Sequence, residues 1–167
     1  MIQKKICLLG SFAVGKTSLI QQHINSLFSD KYLTTVGVKI DKAVFEIDGK
    51  QLSLMIWDIA GEDDFTNIRP AYLRGLDGYI IVIDGSRNST VHKALSIHQK
   101  VVESCGEIPV VFAINKADIK HEWEVTEEQF SQLKRTDYPV FETSAKSGQS
   151  VDSIFSNLGG QLLQHHG

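Results

Sequence analysis

Gly10-Ser11-Phe12-Ala13-Val14-Gly15-Lys16-Thr17 decides how this chain is read. It has the spacing G-x-x-x-x-G-K-[ST], it follows the strand-sized run Lys4 to Leu9, and Ile20, Ile24 and Leu27 recur behind it at i, i+4, i+7. A strand, a loop bounded by glycines and an amphipathic helix in that order make a cradle for an anion of phosphate size. Gly10 and Gly15 let the loop wrap so that consecutive backbone N–H groups point inward, and the helix start adds about half a positive charge. Lys16 is expected to reach the β- and γ-phosphates as a point charge, and the Thr17 hydroxyl to ligate Mg²⁺. Phe12, Ala13, Val14, Gly15 and Ser18 complete the expected nucleotide contact.

Outward from the loop, short apolar runs alternate with longer amphipathic segments, the pattern of βα units around a parallel sheet. Strands are expected near Lys4 to Leu9, Lys42 to Ile47, Gln51 to Trp57, Gly78 to Asp84, Val110 to Asn115 and Val140 to Glu142. Asp48-Gly49 is a hairpin turn signal, so the second and third of these are antiparallel and the remaining connections are crossovers. The expected fold is α/β, with a six-stranded mixed sheet containing one antiparallel strand and helices on both faces. Val36, Val38 and Ile40 alternate on even positions while Ala43, Phe45 and Ile47 alternate on odd ones. Either a bulge near Asp41 or a separate exposed segment explains that change of face. Val151, Ile154, Phe155, Leu158 and Leu162 mark a carboxyl-terminal helix, and Thr126 with Gln129 has the form of a capping box.

Composition narrows the class. A chain of 167 residues with 42% hydrophobic and 22% charged residues is expected to fold as one domain, which excludes wholesale disorder. Seventeen Lys+Arg are scattered among 20 Asp+Glu for a net charge of -3, so nucleic acid is not an expected partner. Cys7 and Cys105 are too few for a disulfide framework and are expected to be buried, reduced thiols. No apolar stretch has membrane length, and a cytoplasmic compartment is expected.

A phosphate loop alone leaves ATPases, kinases and GTPases open, so residues that read the base must decide. Asn115-Lys116-Ala117-Asp118 begins where the fifth expected strand ends, at the same sheet edge as the loop. The Asp118 carboxylate can accept two hydrogen bonds at once, and guanine offers adjacent N1–H and N2–H donors where adenine has neither. Adenine would leave the acid buried and unpaired, at a cost on the order of a few kcal/mol. After the sixth expected strand comes Thr143-Ser144-Ala145-Lys146, where an amide near Ala145 could donate to guanine O6.

With these three motifs in order, the chain resembles a Ras-superfamily small GTPase, in its Rab-like branch, over essentially its full length. The resemblance implies a P-loop NTPase fold of the small G domain type spanning residues 1–167. It implies a guanine-nucleotide switch that binds GTP or GDP with Mg²⁺ and hydrolyses GTP. Tyr32-Leu33-Thr34-Thr35-Val36-Gly37-Val38 is similar to the first switch, which makes Thr35 a Mg²⁺ and γ-phosphate contact, and Phe28 matches the aromatic packed against guanine. Trp57-Asp58-Ile59-Ala60-Gly61-Glu62 is similar to the second switch, in which Asp58 holds Mg²⁺ through water and the Gly61 amide senses the γ-phosphate. Phe12-Ala13-Val14-Gly15-Lys16-Thr17-Ser18-Leu19 and Trp57-Asp58-Ile59-Ala60-Gly61-Glu62-Asp63 are similar also to stretches of bacterial Rab-like small GTPases. By the same resemblance, Asn115, Lys116, Asp118, Ser144, Ala145 and Lys146 contact the base side of the nucleotide. An effector, an exchange factor and an activating protein are expected at the switches of a monomer.

Three departures bear on turnover and attachment. Glu62 stands where the family usually has the glutamine that orients the attacking water; a carboxylate accepts from water but is repelled by the γ-phosphoryl oxygens. Phe12 occupies a loop position where small residues are usual, and its bulk obstructs an arginine supplied by a partner. With Lys16 and Gly61, Glu62 is the candidate for catalysis, and slow hydrolysis is expected. A GTP-holding scaffold without turnover and an ATP-using P-loop enzyme are the rival readings, the second lacking any role for Asp118. The sequence ends Leu162-Leu163-Gln164-His165-His166-Gly167 with no terminal cysteine to be prenylated, so no lipid anchor is expected in this chain. Solvated loop is expected for His121 to Glu124 and for His165 with His166.

Overall fold

A computed structural model describes residues 2–11, 13–24, 29–33, 39–59 and 70–166. Its strands are β1 (Ile2–Gly10), β2 (Ser29–Leu33), β3 (Lys39–Ile47), β4 (Lys50–Asp58), β5 (Gly78–Asp84), β6 (Val110–Asn115) and β7 (Val140–Glu142). The helices are α1 (Lys16–Ile24), α2 (Pro70–Leu73), α3 (Ser89–Cys105), α4 (Glu127–Lys134) and α5 (Val151–His166), with a 3₁₀ segment at Ala117–Glu122. The sheet order is β2-β3-β4-β1-β5-β6-β7. β3 alone runs against the others, antiparallel to both β2 and β4, while β4, β1, β5, β6 and β7 are mutually parallel.

The expected count of six strands is therefore corrected to seven. The additional strand, Ser29–Leu33, has the sequence SDKYL, without an alternating apolar face, and it pairs at the sheet edge with β3 only. Its pairing is carried by the backbone, which periodicity does not report. The β3–β4 ladder keeps one register from Lys39↔Asp58 to Ile47↔Lys50, so the change of face near Asp41 is not a bulge in this strand. Val36 and Val38 lie outside the described residues, as does Leu27. Asp48 and Gly49, at φ 52° and 78°, make the two-residue turn that closes β3 on β4.

Period-two alternation in the central strands divides the core between the two faces. Ile6, Leu8, Ile80, Val82, Val111 and Ala113 meet Leu19 and Ile20 of α1 and Ile154, Phe155 and Leu158 of α5. Cys7, Leu9, Tyr79, Ile81, Ile83, Phe112 and Ile114 meet Tyr72, Val91, Ala94, Ile97 and Leu133 on the opposite face. β5 and β6 are buried at every residue, as parallel strands covered by helices must be. Both halves of the capping box form: the Thr126 hydroxyl accepts from the Gln129 amide at 3.1 Å, and the Gln129 side chain accepts from the Thr126 amide at 3.0 Å.

Cys7 is buried, and burial pushes its thiol up to about 12, whereas Cys105 is only half-buried; both are free. The expectation of two buried thiols holds for Cys7 and is corrected for Cys105, which ends α3 beneath the α2 carbonyl of Leu73. His165 and His166 belong to α5, not to a loop.

Burial also holds two imidazoles below their ordinary value: His23, stacked on Phe155 at 4.1 Å and opposed by Asp152, and His98, between Tyr79, Phe112 and Tyr138 and opposed by Glu107. In the folded chain both therefore take up a proton only at lower pH than in the unfolded chain, where the imidazoles titrate near 6.5. The stability they contribute is complete above that pH and is lost as pH falls below it. Thermal melting followed by circular dichroism should therefore move to lower temperature on acidification below about pH 6.5. The decline should be shallower in a His23→Gln, His98→Asn double variant, and equal slopes would contradict this account.

Candidate functional site

Five strands end at one edge. Register places Leu8 beside Asp58, Gly10 beside Val82, Asp84 beside Asn115 and Ile114 beside Glu142, so the loops leaving β1, β4, β5, β6 and β7 converge. Chain connections depart to either side of β1 at this edge, which is where open α/β sheets bind ligands.

The glycine loop joins β1 to α1. A Cβ on Gly10 would lie 2.5 Å from the Val82 carbonyl oxygen, and one on Gly15, at φ 104°, would lie 2.3 Å from the Asn115 side-chain nitrogen. Both glycines are required by close approach as well as by backbone conformation. Lys16 opens α1 and is buried; its Nζ donates to the Gly10 carbonyl at 2.8 Å and to that of Ser11 at 3.3 Å. The ammonium thus lies across the loop. Val14 is buried, while Ala13, Thr17 and Ser18 are exposed. Phe12 lies outside the described residues.

Thr17 and Asp58 come together although far apart in sequence, the Thr17 hydroxyl donating to Asp58 Oδ2 at 2.6 Å. Asp58 is buried, and its Oδ1 has no hydrogen-bond partner among the described residues. A hydroxyl and an under-satisfied carboxylate side by side, at the mouth of a phosphate loop, are hard oxygen donors of the kind that Mg²⁺ takes. The residues fit the ion. Thr35, Gly61 and Glu62 lie outside the described residues.

On the other side of Gly15 is a cavity of about 340 Å³ lined by Gly15, Ser18, Asn115, Lys116, Asp118, Ala145 and Lys146. These are residues of all three sequence motifs. Phe28 lies outside the described residues. Asp118 Oδ1 accepts from the Ser144 hydroxyl at 2.7 Å, and Ser144 Oγ in turn accepts from the Ser147 amide at 3.0 Å, so the carboxylate is aimed by the β7–α5 loop. Asn115, buried, braces three loops at once: its Nδ2 donates to the Val14 carbonyl at 3.0 Å and its Oδ1 accepts from the Thr143 hydroxyl at 3.2 Å. The Ala117 amide donates to the Thr143 carbonyl at 2.9 Å.

Sequence reading missed the support beneath this cavity. Asp84, buried at the end of β5, accepts from Lys116 Nζ at 2.8 Å and Arg87 Nε at 2.9 Å through Oδ2, and from the Ser86 amide and hydroxyl through Oδ1. Burial pushes its carboxyl up, but the hydrogen bonds from Lys116, Ser86 and Arg87 outweigh that and hold it below the usual carboxylate value. The available signal was a lone carboxylate closing the otherwise apolar run Tyr79 to Ile83. His121, Glu122 and Glu124 are exposed as expected, but Trp123 between them is half-buried and is not part of a merely solvated loop. Its indole N–H donates to the Lys116 carbonyl at 2.8 Å.

A phosphate loop opening a helix, a pair of hard oxygen donors beside it and a cavity lined by Asn115, Lys116 and Asp118 behind it define a P-loop nucleotide-binding protein. The Ras family sequence model matches residues 5–164. The chain is 31% identical over 164 residues to Ras-related protein SEC4 of Candida albicans, covering 97% of this chain and 78% of that one. It is 33% identical over 165 residues to Ras-related protein Rab-13 of Mesocricetus auratus, covering 98% and 81%, and 34% identical over 166 residues to Ras-related protein Rab-17 of Mus musculus, covering 98% and 77%. The chain belongs to the Ras family and is a Rab-like small GTPase, a GTP-binding molecular switch. Among the described residues, no helix is long and apolar enough to cross a membrane.

Proposed function

We propose that residues 1–167 act as one monomeric G domain in which the three loops at the carboxyl edge of the sheet divide the nucleotide between them. Gly10 to Ser18 take the phosphates, with Lys16 exchanging the loop carbonyls for β- and γ-oxygens. Asn115, Lys116, Asp118, Ser144, Ala145 and Lys146 take the guanine side, where Asp118 selects N1–H with N2–H and the Ala145 amide selects O6. The observation that carries this reading is the cavity itself: it brings Gly15 of the phosphate loop against Asp118 and Ala145, contributed by separate loops.

Thr17 and Asp58, with Thr35, are the residues that would hold Mg²⁺. Held there, the ion would supply positive charge against the phosphates. Lys16 adds a fixed positive charge, and the loop amides orient the phosphates without reorganisation. Glu62 is the proposed handler of the attacking water, with the Gly61 amide at the γ-phosphate. The switches around Thr35 and Glu62 would then present effector, exchange-factor and activator surfaces that differ between GTP and GDP states.

Glu62 gives the test. A water-handling carboxylate predicts that Glu62→Ala lowers the single-turnover rate of GTP cleavage, by about a hundredfold to ten-thousandfold if general-base assistance is lost. Relief of repulsion at the γ-phosphate predicts a higher rate in Glu62→Gln. An unchanged rate in both variants removes Glu62 from the catalytic assignment.

A further inference from the structure

Lys116 has a left-handed backbone, φ 75° and ψ 37°, a conformation unfavourable for a residue with a Cβ and one that persists only where the surroundings impose it. It lies two residues before Asp118, so its backbone angles set where that carboxylate stands. Two groups that no motif of the nucleotide site includes impose them. Asp84 takes the side chain, through the 2.8 Å contact with Nζ. Trp123 takes the main chain, its Nε1–H donating to the Lys116 carbonyl at 2.8 Å, alongside the Ile119 amide at 3.0 Å.

The indole is itself fixed by the β5–α3 loop. A Cβ on Gly85 would lie 2.2 Å from Trp123 Cε2, so the ring lies directly on the Gly85 backbone. The Gly85 carbonyl accepts from the Glu124 amide at 2.9 Å, the Gly85 amide donates to the Asn115 carbonyl at 3.1 Å, and the Glu124 carboxylate accepts from the Asn88 amide at 3.2 Å. Glu124, next to the indole, and Asn115, next to Lys116, are thus stitched to the same Gly85 backbone. A half-buried indole anchored at both its face and its N–H loses little further freedom and can resist backbone rotation in a way that an aliphatic side chain cannot.

We infer that Trp123 is a positioning residue for base recognition: resting on Gly85, it holds the Lys116 backbone in its left-handed state and thereby fixes the guanine-reading geometry of Asp118. The inference rests on the proposed pairing of Asp118 with guanine. Loosening Lys116 should weaken guanine, which offers Asp118 two donors, more than hypoxanthine, which lacks the C2 amine and offers one. Trp123→Phe keeps a ring over Gly85 and removes the N–H. Gly85→Ala leaves the indole in the chain and displaces it.

The experiment measures dissociation of GDP and of inosine diphosphate from the intact chain in the presence of Mg²⁺, with thermal melting of each variant alongside. Trp123→Phe should release GDP about threefold to tenfold faster, the equivalent of one net hydrogen bond, and should lower the preference for GDP over inosine diphosphate by a similar factor. Gly85→Ala should move both quantities in the same direction, and stands as the measurement should the first variant not fold. A lower melting temperature with the GDP dissociation rate and the base preference unchanged would make Trp123 a packing residue only and would overturn the inference. A parent chain that does not prefer GDP to inosine diphosphate would instead overturn the reading of Asp118, and this inference with it.

Discussion

Asp118→Asn should convert a guanine-selective chain into a xanthine-selective one. The carboxylate lines the base cavity and is aimed by the Ser144 hydroxyl at 2.7 Å, a bond that an amide oxygen can also accept. The substitution therefore keeps the support and changes only the face offered to the base. Guanine loses two hydrogen bonds to a charged acceptor, each worth roughly 1.5–3 kcal/mol, so GTP affinity should fall by about two to four orders of magnitude. Xanthine carries an oxygen at C2 that accepts from the new amide, and XTP should bind the variant better than GTP does. Competitive displacement of a fluorescent guanine nucleotide by GTP and XTP checks this. A variant that keeps the parental preference would show that Asp118 does not read the base.

Thr17→Asn should separate triphosphate from diphosphate. The Thr17 hydroxyl and Asp58 are 2.6 Å apart, with the second Asp58 oxygen buried and unpartnered among the described residues, an arrangement that a divalent cation would complete. A longer amide at position 17 displaces that pair. Because a triphosphate carries more charge for the ion to offset than a diphosphate, GTP affinity in Mg²⁺ should fall about tenfold to a hundredfold more than GDP affinity. Chelation of Mg²⁺ should abolish the difference between parent and variant. Equal losses for GTP and GDP, unaffected by chelation, would remove Thr17 and Asp58 from the metal site.

What was legible in the sequence was contiguous and periodic. Gly10 to Thr17 carries its own context of strand and helix, and Asn115 to Asp118 and Thr143 to Lys146 follow strands whose apolar runs set their boundaries; β5, β6 and β7 lie where those runs place them. The capping box at Thr126 is equally local. β2 was not legible, because an edge strand paired through its backbone needs no apolar face. Asp84 and Trp123 escaped for a different reason: their partners, Lys116 and Gly85, lie on neighbouring strand ends, and only the parallel register of β5 and β6 brings them together. The brace made by Asn115 escaped likewise, since a motif read as contacting the base also ties the phosphate loop to the β7–α5 loop.

The phosphate loop and the proposed guanine-reading cavity meet in the discrimination between bases. Equilibrium competition for the loaded chain in Mg²⁺ measures that discrimination directly. GTP and GDP should each displace a bound fluorescent guanine nucleotide, and ATP should fail to do so even at about a thousandfold higher concentration, because adenine offers the Asp118 carboxylate neither the N1–H nor the N2–H donor. Displacement by ATP at concentrations comparable to GTP would contradict the assignment of this cavity to guanine.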